Sequence, residues 1–185
     1  VPKDVLVVSD EAYREYVSAE DYPDTISFIN DHANVMVLRT FSKIYGLAAL
    51  RIGYGVGDPK LISAIEPVRG AFNTTRIAHV AAIAALRDQT FVNECRQKNK
   101  EGLEQFYQFC RDYGLRYYPS EANFILIDFK RSGDDIFHYL IKNGYIVRSG
   151  EALGFPTCVR ITIGRYDENK GIIDCLKAGL DNKDI

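Results

Sequence analysis

The run Thr40-Phe41-Ser42-Lys43-Ile44-Tyr45-Gly46-Leu47-Ala48-Ala49-Leu50-Arg51-Ile52-Gly53-Tyr54-Gly55 holds the side chains best suited to chemistry. An apolar, partly dry setting makes a lysine amine a usable nucleophile toward an aldehyde. The hydroxyl of Ser42 and the guanidinium of Arg51 are what a phosphate needs, one as a single donor and one as a bidentate cation. An aldehyde and a phosphate on one small molecule point to pyridoxal 5′-phosphate. Most lysines are solvated, so Lys43 by itself would carry no such reading.

Other residues fit the same chemistry. Asp10-Glu11-Ala12-Tyr13 closes the apolar run Val5-Leu6-Val7-Val8. Pyridoxal phosphate is an electron sink while its ring nitrogen stays protonated, which a facing carboxylate enforces. Open α/β sheets place ligand groups at the carboxyl ends of parallel strands, where Asp10 is expected. Tyr13 is placed to set its phenol against the ring oxygen. Arg148 follows Tyr145-Ile146-Val147, and Arg160 precedes Ile161-Thr162-Ile163. A strand arginine faces either solvent or a ligand, and a guanidinium fork holds a substrate carboxylate with two parallel hydrogen bonds.

The elements that must position these groups can be placed in outline. Strands are expected at 5–9, 35–40 and 52–56, the first buried on both faces as in a parallel sheet. A helix follows from Pro59, with Leu61, Ile62 and Ile65 on one side. A closely packed helix over 75–88 carries Ile77, Val80, Ala81, Ala84 and Ala85. Another, about 90–112, carries Phe91, Cys95, Leu103, Phe106, Phe109 and Cys110 and stops at Gly114. Strands are then expected at 116–118, 123–129, 145–148 and 159–163. Asp134 is expected to cap a helix over 135–142, with Ile136, Phe137, Leu140 and Ile141 inward, and a last helix over 167–180 to start at Asp167. No Gly/Ser linker separates the halves, so the domain boundary is expected in a helix near residue 90.

Composition narrows the functional class. The 185 residues are 46% hydrophobic and 26% charged, with 23 basic and 25 acidic side chains intermixed and a net charge of −2. No basic stripe of the kind nucleic acid requires is present, and no apolar run approaches the ~18 residues of a membrane span. Cys95, Cys110, Cys158 and Cys175 form no C-x-x-C pair, and His32, His79 and His138 lack metal spacing. Reduced cysteines in a cytoplasmic protein without a metal site are expected. The start is abrupt, with Val1-Pro2-Lys3-Asp4 leading straight into an apolar strand, so the chain is expected to be the later part of a longer protein.

The motifs Asp10-Glu11-Ala12-Tyr13, Ser42-Lys43-x-Tyr45-Gly46-Leu47-Ala48-x-Leu50-Arg51-Ile52-Gly53, Phe72-Asn73, Ala122-Asn123-Phe124, Ile146-Val147-Arg148 and Val159-Arg160-Ile161-Thr162 stand in this order along the chain. Together they resemble the fold-type I pyridoxal-phosphate enzymes, and within them the histidinol-phosphate aminotransferases. The resemblance implies an α/β fold: residues 1–89 as the later part of a large cofactor-binding domain with a mostly parallel sheet and helices, and 90–185 as a small C-terminal α/β domain. It implies that Lys43 carries the cofactor and moves a proton, that Asp10 faces the ring nitrogen and Tyr13 the ring oxygen, and that Ser42 and Arg51 hold the phosphate. Arg160 would hold a substrate carboxylate or its counterpart, Arg148 the substrate phosphate, and Asn123 would line the substrate side. The implied reaction is amino transfer from L-histidinol phosphate to 2-oxoglutarate in histidine biosynthesis, in a homodimer. Threonine-phosphate decarboxylation, aromatic amino acid transamination and a catalytically silent fragment are the alternatives. The family's members are longer than this chain, and their first half supplies further cofactor contacts.

Overall fold

The computed structural model describes residues 1–185. They form two compact units, Val1–Cys95 and Arg96–Ile185.

The first unit is built on β1 (Val7–Asp10), β2 (Val35–Thr40) and β3 (Gly53–Gly57), in that order. β1 runs parallel to β2 with Asp10 opposite Leu38, and β3 runs antiparallel to β2 with Gly53 opposite Thr40. The sheet is therefore mixed, where a mostly parallel one was expected. Residues 41–52 contain one 3₁₀ turn, Ala48–Leu50, and no crossover helix, so the chain returns beside β2 in the opposite sense. Gly53 allows this return, because a Cβ there would stand 2.6 Å from the Arg39 carbonyl oxygen.

β1 is not the doubly buried strand expected over 5–9. It begins at Val7, alternates in exposure, and leaves Val8 49% exposed. It is an edge strand with β2 on one side only, and Val8 and Asp10 lie on a face that nothing in this unit covers. α1 (Pro59–Ile65) starts at Asp58, whose carboxylate accepts from the Lys60 N–H at 2.8 Å, with Pro59 in the first turn.

α2 (Arg76–Arg87) is capped by Thr75, whose hydroxyl accepts from the Ala78 N–H. It is not packed all round. Ala78 and Ala82 are buried against Phe41, Ile44, Tyr45 and Ile52, while Ile77 is 73% exposed and Val80 and Ile83 also face outward. The small side chains take the close approach, and the larger ones fall on the opposite side of the turn.

α3 (Gln89–Asp112) contains the division between the units. The second unit has β4 (Arg116–Tyr118), β5 (Phe124–Asp128), β6 (Arg148–Ser149) and β7 (Cys158–Thr162), all antiparallel in the order β4-β5-β7-β6. α4 (Gly133–Lys142) and α5 (Tyr166–Asp181) complete it. Ile125 and Ile127 of β5 face Val159 and Ile161 of β7 on one side of the sheet, and Phe106, Phe109, Ile136, Leu140 and Leu176 close over them.

Four expectations are corrected in this unit. Ser132 caps α4 in place of Asp134, its hydroxyl accepting from the Asp135 N–H, and Ile141 turns out to solvent. The strand expected at 145–148 shrinks to β6, because the Tyr145 N–H is taken by the Leu140 carbonyl at the end of α4. α5 begins at Tyr166, with Glu168 accepting from the Arg165 N–H at 2.8 Å and closing the first turn. No helix is long and apolar enough to cross a membrane.

Candidate functional site

Parallel pairing brings the carboxyl ends of β1 and β2 to one end of the first sheet, and antiparallel pairing brings the start of β3 there too. Asp10, Tyr13, Ser42, Lys43 and Arg51 all lie in the segments that leave or enter this end. The loop holding Lys43 is closed on itself: the Phe41 N–H donates to the Ile52 carbonyl, the Leu47 N–H to the Phe41 carbonyl, and the Gly46 N–H to the Lys43 carbonyl at 2.9 Å. Gly46 takes φ +70°, which a side chain would oppose. Phe41, Ile44 and Tyr45 anchor the loop by burial, and Lys43 between them is half-buried.

The Lys43 amine sits 5.2 Å from the centre of the Tyr13 ring, so the two residues meet across 30 positions of sequence. Asp10 is exposed, and its carboxylate accepts from the Ala12 N–H at 3.0 Å in the turn that follows β1. Arg51 donates to the Ala48 carbonyl at 2.8 Å and approaches the Ser42 hydroxyl at 3.5 Å. Its backbone is left-handed, φ +52°, a conformation that costs a non-glycine residue roughly 1–2 kcal/mol. The strain sets an exposed guanidinium beside a hydroxyl, which is an anion-binding arrangement.

The donor set fits a phosphate-bearing aldehyde. Ser42 and Arg51 could offer a hydroxyl and a fork to a phosphate, Lys43 an amine to an aldehyde, and Asp10 an acceptor to a protonated ring nitrogen.

Sequence reasoning assigned no role to Glu11 or Arg39. Glu11 is buried, accepts from Arg39 through two nitrogens at 2.9 and 2.8 Å, and also accepts from the Thr25 hydroxyl. Burial opposes the charge on Arg39, but hydrogen bonds to Tyr54 and Glu11 outweigh it and raise its pKa. Burial, and then the negative charge of Glu11, push the Tyr22 phenol up. The available signal was a lone cation in the apolar run Val35-Met36-Val37-Leu38-Arg39.

In the second unit, Arg148 and Arg160 are register partners on β6 and β7. Like charges directly opposite one another repel, so the pair presents an anion-attracting surface. The Arg160 guanidinium lies 4.1 Å above the Phe124 ring, and Leu126 stands opposite it on β5. Asn123 precedes β5, and its carbonyl accepts from the Ile163 N–H. The turn before it is pinned by Asn99, which donates to the Ala122 carbonyl, and by the Tyr107 hydroxyl, which accepts from the Ser120 N–H.

Residues 1–174 match the family described as aminotransferase class I and II. The chain is 64% identical over 176 residues to the histidinol-phosphate aminotransferase of Anoxybacillus flavithermus, covering 95% of this chain and 47% of that protein. It is 58% identical over 185 residues to the enzyme of that name from Geobacillus sp., covering 100% and 51%. The chain thus spans about half the length of the curated relatives it matches. Among solved structures, the histidinol-phosphate aminotransferase from Sinorhizobium meliloti in complex with pyridoxal-5′-phosphate superposes with a TM-score of 0.88 at 32% identity, covering 98% of this chain and 50% of that one. A structure from Erwinia carotovora gives a TM-score of 0.90 at 24% identity, covering 97% and 52%, and supports the fold alone.

Proposed function

The chain belongs to the aminotransferase class I and II family, and from that premise we propose that it carries the pyridoxal 5′-phosphate site of a cytoplasmic, homodimeric histidinol-phosphate aminotransferase. In this reading the protein moves an amino group from L-histidinol phosphate to 2-oxoglutarate in histidine biosynthesis. Residues 1–89 belong to the larger cofactor-binding domain and 90–185 to the smaller α/β domain.

When bound, pyridoxal phosphate supplies an electron sink for the carbon that exchanges its amino group. Lys43 holds the cofactor through its amine and moves a proton at Nζ. Asp10 offers its carboxylate to the ring nitrogen, and Tyr13 its phenol to the ring oxygen. Ser42 and Arg51 grip the phosphate, one by a hydroxyl and one by its fork. On the substrate side, Arg160 takes a carboxylate, Arg148 a phosphate, and Asn123 lines the approach.

The meeting of the Lys43 amine with Tyr13, at the sheet end that also holds Asp10 and the Ser42–Arg51 pair, carries this reading. The relatives' names support the choice of substrate. The test is to add pyridoxal phosphate, reduce with borohydride and digest. A cofactor adduct on the Lys43 peptide is expected, with visible absorbance that reduction bleaches and that Lys43→Ala abolishes. A Lys43 peptide without the adduct at saturating cofactor would sink the proposal.

A further inference from the structure

Glu11 is the one buried acidic side chain of the molecule, 2% exposed, and it follows directly on Asp10. Its two carboxylate oxygens are fully engaged. One accepts from Nε and a terminal nitrogen of Arg39, and the other accepts from the Thr25 hydroxyl. Arg39 follows Leu38, the register partner of Asp10, whose carbonyl accepts from the Glu11 N–H at 2.8 Å. Arg39 is in turn the register partner of Tyr54 on β3. The ion pair therefore ties the end of β1 to β2, and the Thr25 hydroxyl fastens its own segment to the same carboxylate.

Stability alone does not account for such a pair. Apolar residues of similar volume do as well or better in a core, because two charges must be stripped of water before they meet. Two donors of one guanidinium converging on a single carboxylate oxygen, with the other oxygen held by Thr25, do fix a direction. Successive residues of an extended strand point to opposite sides, so anchoring Glu11 inward aims Asp10 outward. The exposed Asp10 carboxylate has only the Ala12 N–H to steady it. Ala12 and Tyr13 inherit their placement from the same anchored backbone.

We propose, resting on the cofactor site described above, that Glu11 and Arg39 are its positioning pair: their buried ion pair sets the strand end from which Asp10 and Tyr13 reach the cofactor. Neither residue touches the reacting atoms. Both act through the backbone of residues 10–13.

Two measurements on the whole chain test this, using Glu11→Gln and Arg39→Lys, which keep size while weakening the fork. The first is amide hydrogen exchange without cofactor. Protection at Glu11, Ala12 and Tyr13 is expected to fall about tenfold or more, while Val37 in the same sheet and Ile125 and Ile161 in the other keep theirs. The second is titration with pyridoxal phosphate, where the dissociation constant is expected to rise about tenfold, as for loss of one charged hydrogen bond, and the visible band to shift in wavelength. A merely structural pair would lower protection throughout the first sheet and leave the band where it is, and that result overturns the inference. Unchanged exchange at residues 11–13 in a folded variant overturns it equally. Arg39→Lys decides alone if Glu11→Gln does not fold. If the unaltered chain gives no visible band, the cofactor reading fails, and the exchange measurement still decides the role of the pair.

Discussion

In the four-stranded sheet of residues 96–185, Ile125, Ile127, Val159 and Ile161 face three helices, and fourteen buried apolar residues form one core. In the three-stranded sheet of residues 1–95, the corresponding cluster holds seven, two of them alanines. Val5 and Leu6 before β1 and Val8 within it lie about half exposed, and Ile77, Val80 and Ile83 are open on α2. The second unit satisfies its apolar pattern with its own elements. The first leaves apolar side chains of both its opening segment and α2 exposed. The candidate cofactor residues all belong to this first unit. Their positions rest on closed loops, a strained Arg51 and a buried ion pair, with little help from a large core.

Replacing Phe106 by alanine attacks the fuller core. Phe106 is fully buried, and a loss of about 3–5 kcal/mol is expected from urea unfolding followed by circular dichroism. A loss below about 1 kcal/mol would mean that the core of the second unit is no better packed than that of the first, since such sites collapse easily.

A smaller effect is expected in alkali. Burial pushes the Cys110 thiol up to about 12 from an ordinary value near 9, against a modest downward pull from Arg111. The folded state keeps the proton that the unfolded chain gives up. The contribution is therefore fully present below about pH 9 and is lost as pH rises from there toward about 12. Stability of the second unit should fall across that window by up to about 1.4 kcal/mol per pH unit, and Cys110→Ala should flatten the slope. An equal slope in the variant would remove Cys110 from the account.

The smallest change is expected on the open face of α2. Ile77→Gln should alter the stability of the isolated chain by no more than about 0.5 kcal/mol, the usual range for surface positions. A loss of 2 kcal/mol or more, read by the same urea unfolding, would show that Ile77 is packed in solution. The contrast between the two units would then disappear.

Much of this was legible beforehand. Pro59 at the start of α1 and Gly114 after α3 are local signals that the structure follows, while Thr75, read as the first helical residue, is the cap of α2. The apolar run Phe124-Ile125-Leu126-Ile127 marks the strand, and only the structure shows that Ile125 and Ile127 take the buried face. Errors came where one local rule competed with another, or where strand pairing and cover decided the outcome. Val5–Val8 reads as a doubly buried strand, because four apolar residues in a row say nothing about how many neighbours a strand has. Tyr145–Val147 reads as a strand, but the end of α4 claims the Tyr145 N–H first. Asp134 is a good cap by type, and Ser132 won because Gly133 already begins the helix.

The sequence by itself determined the chemistry on offer: a lysine beside a hydroxyl, an arginine eight positions on, an aspartate and a tyrosine closing an apolar strand, and their order along the chain. These are matters of residue type and short spacing, which local rules read directly. Only the tertiary structure decided that Lys43 meets Tyr13, that Arg148 stands opposite Arg160, and that Glu11 is buried on an arginine 28 residues away. Register and burial follow from which strands pair and which faces find cover. Those are properties of the whole assembly of elements, and no window of the sequence contains them.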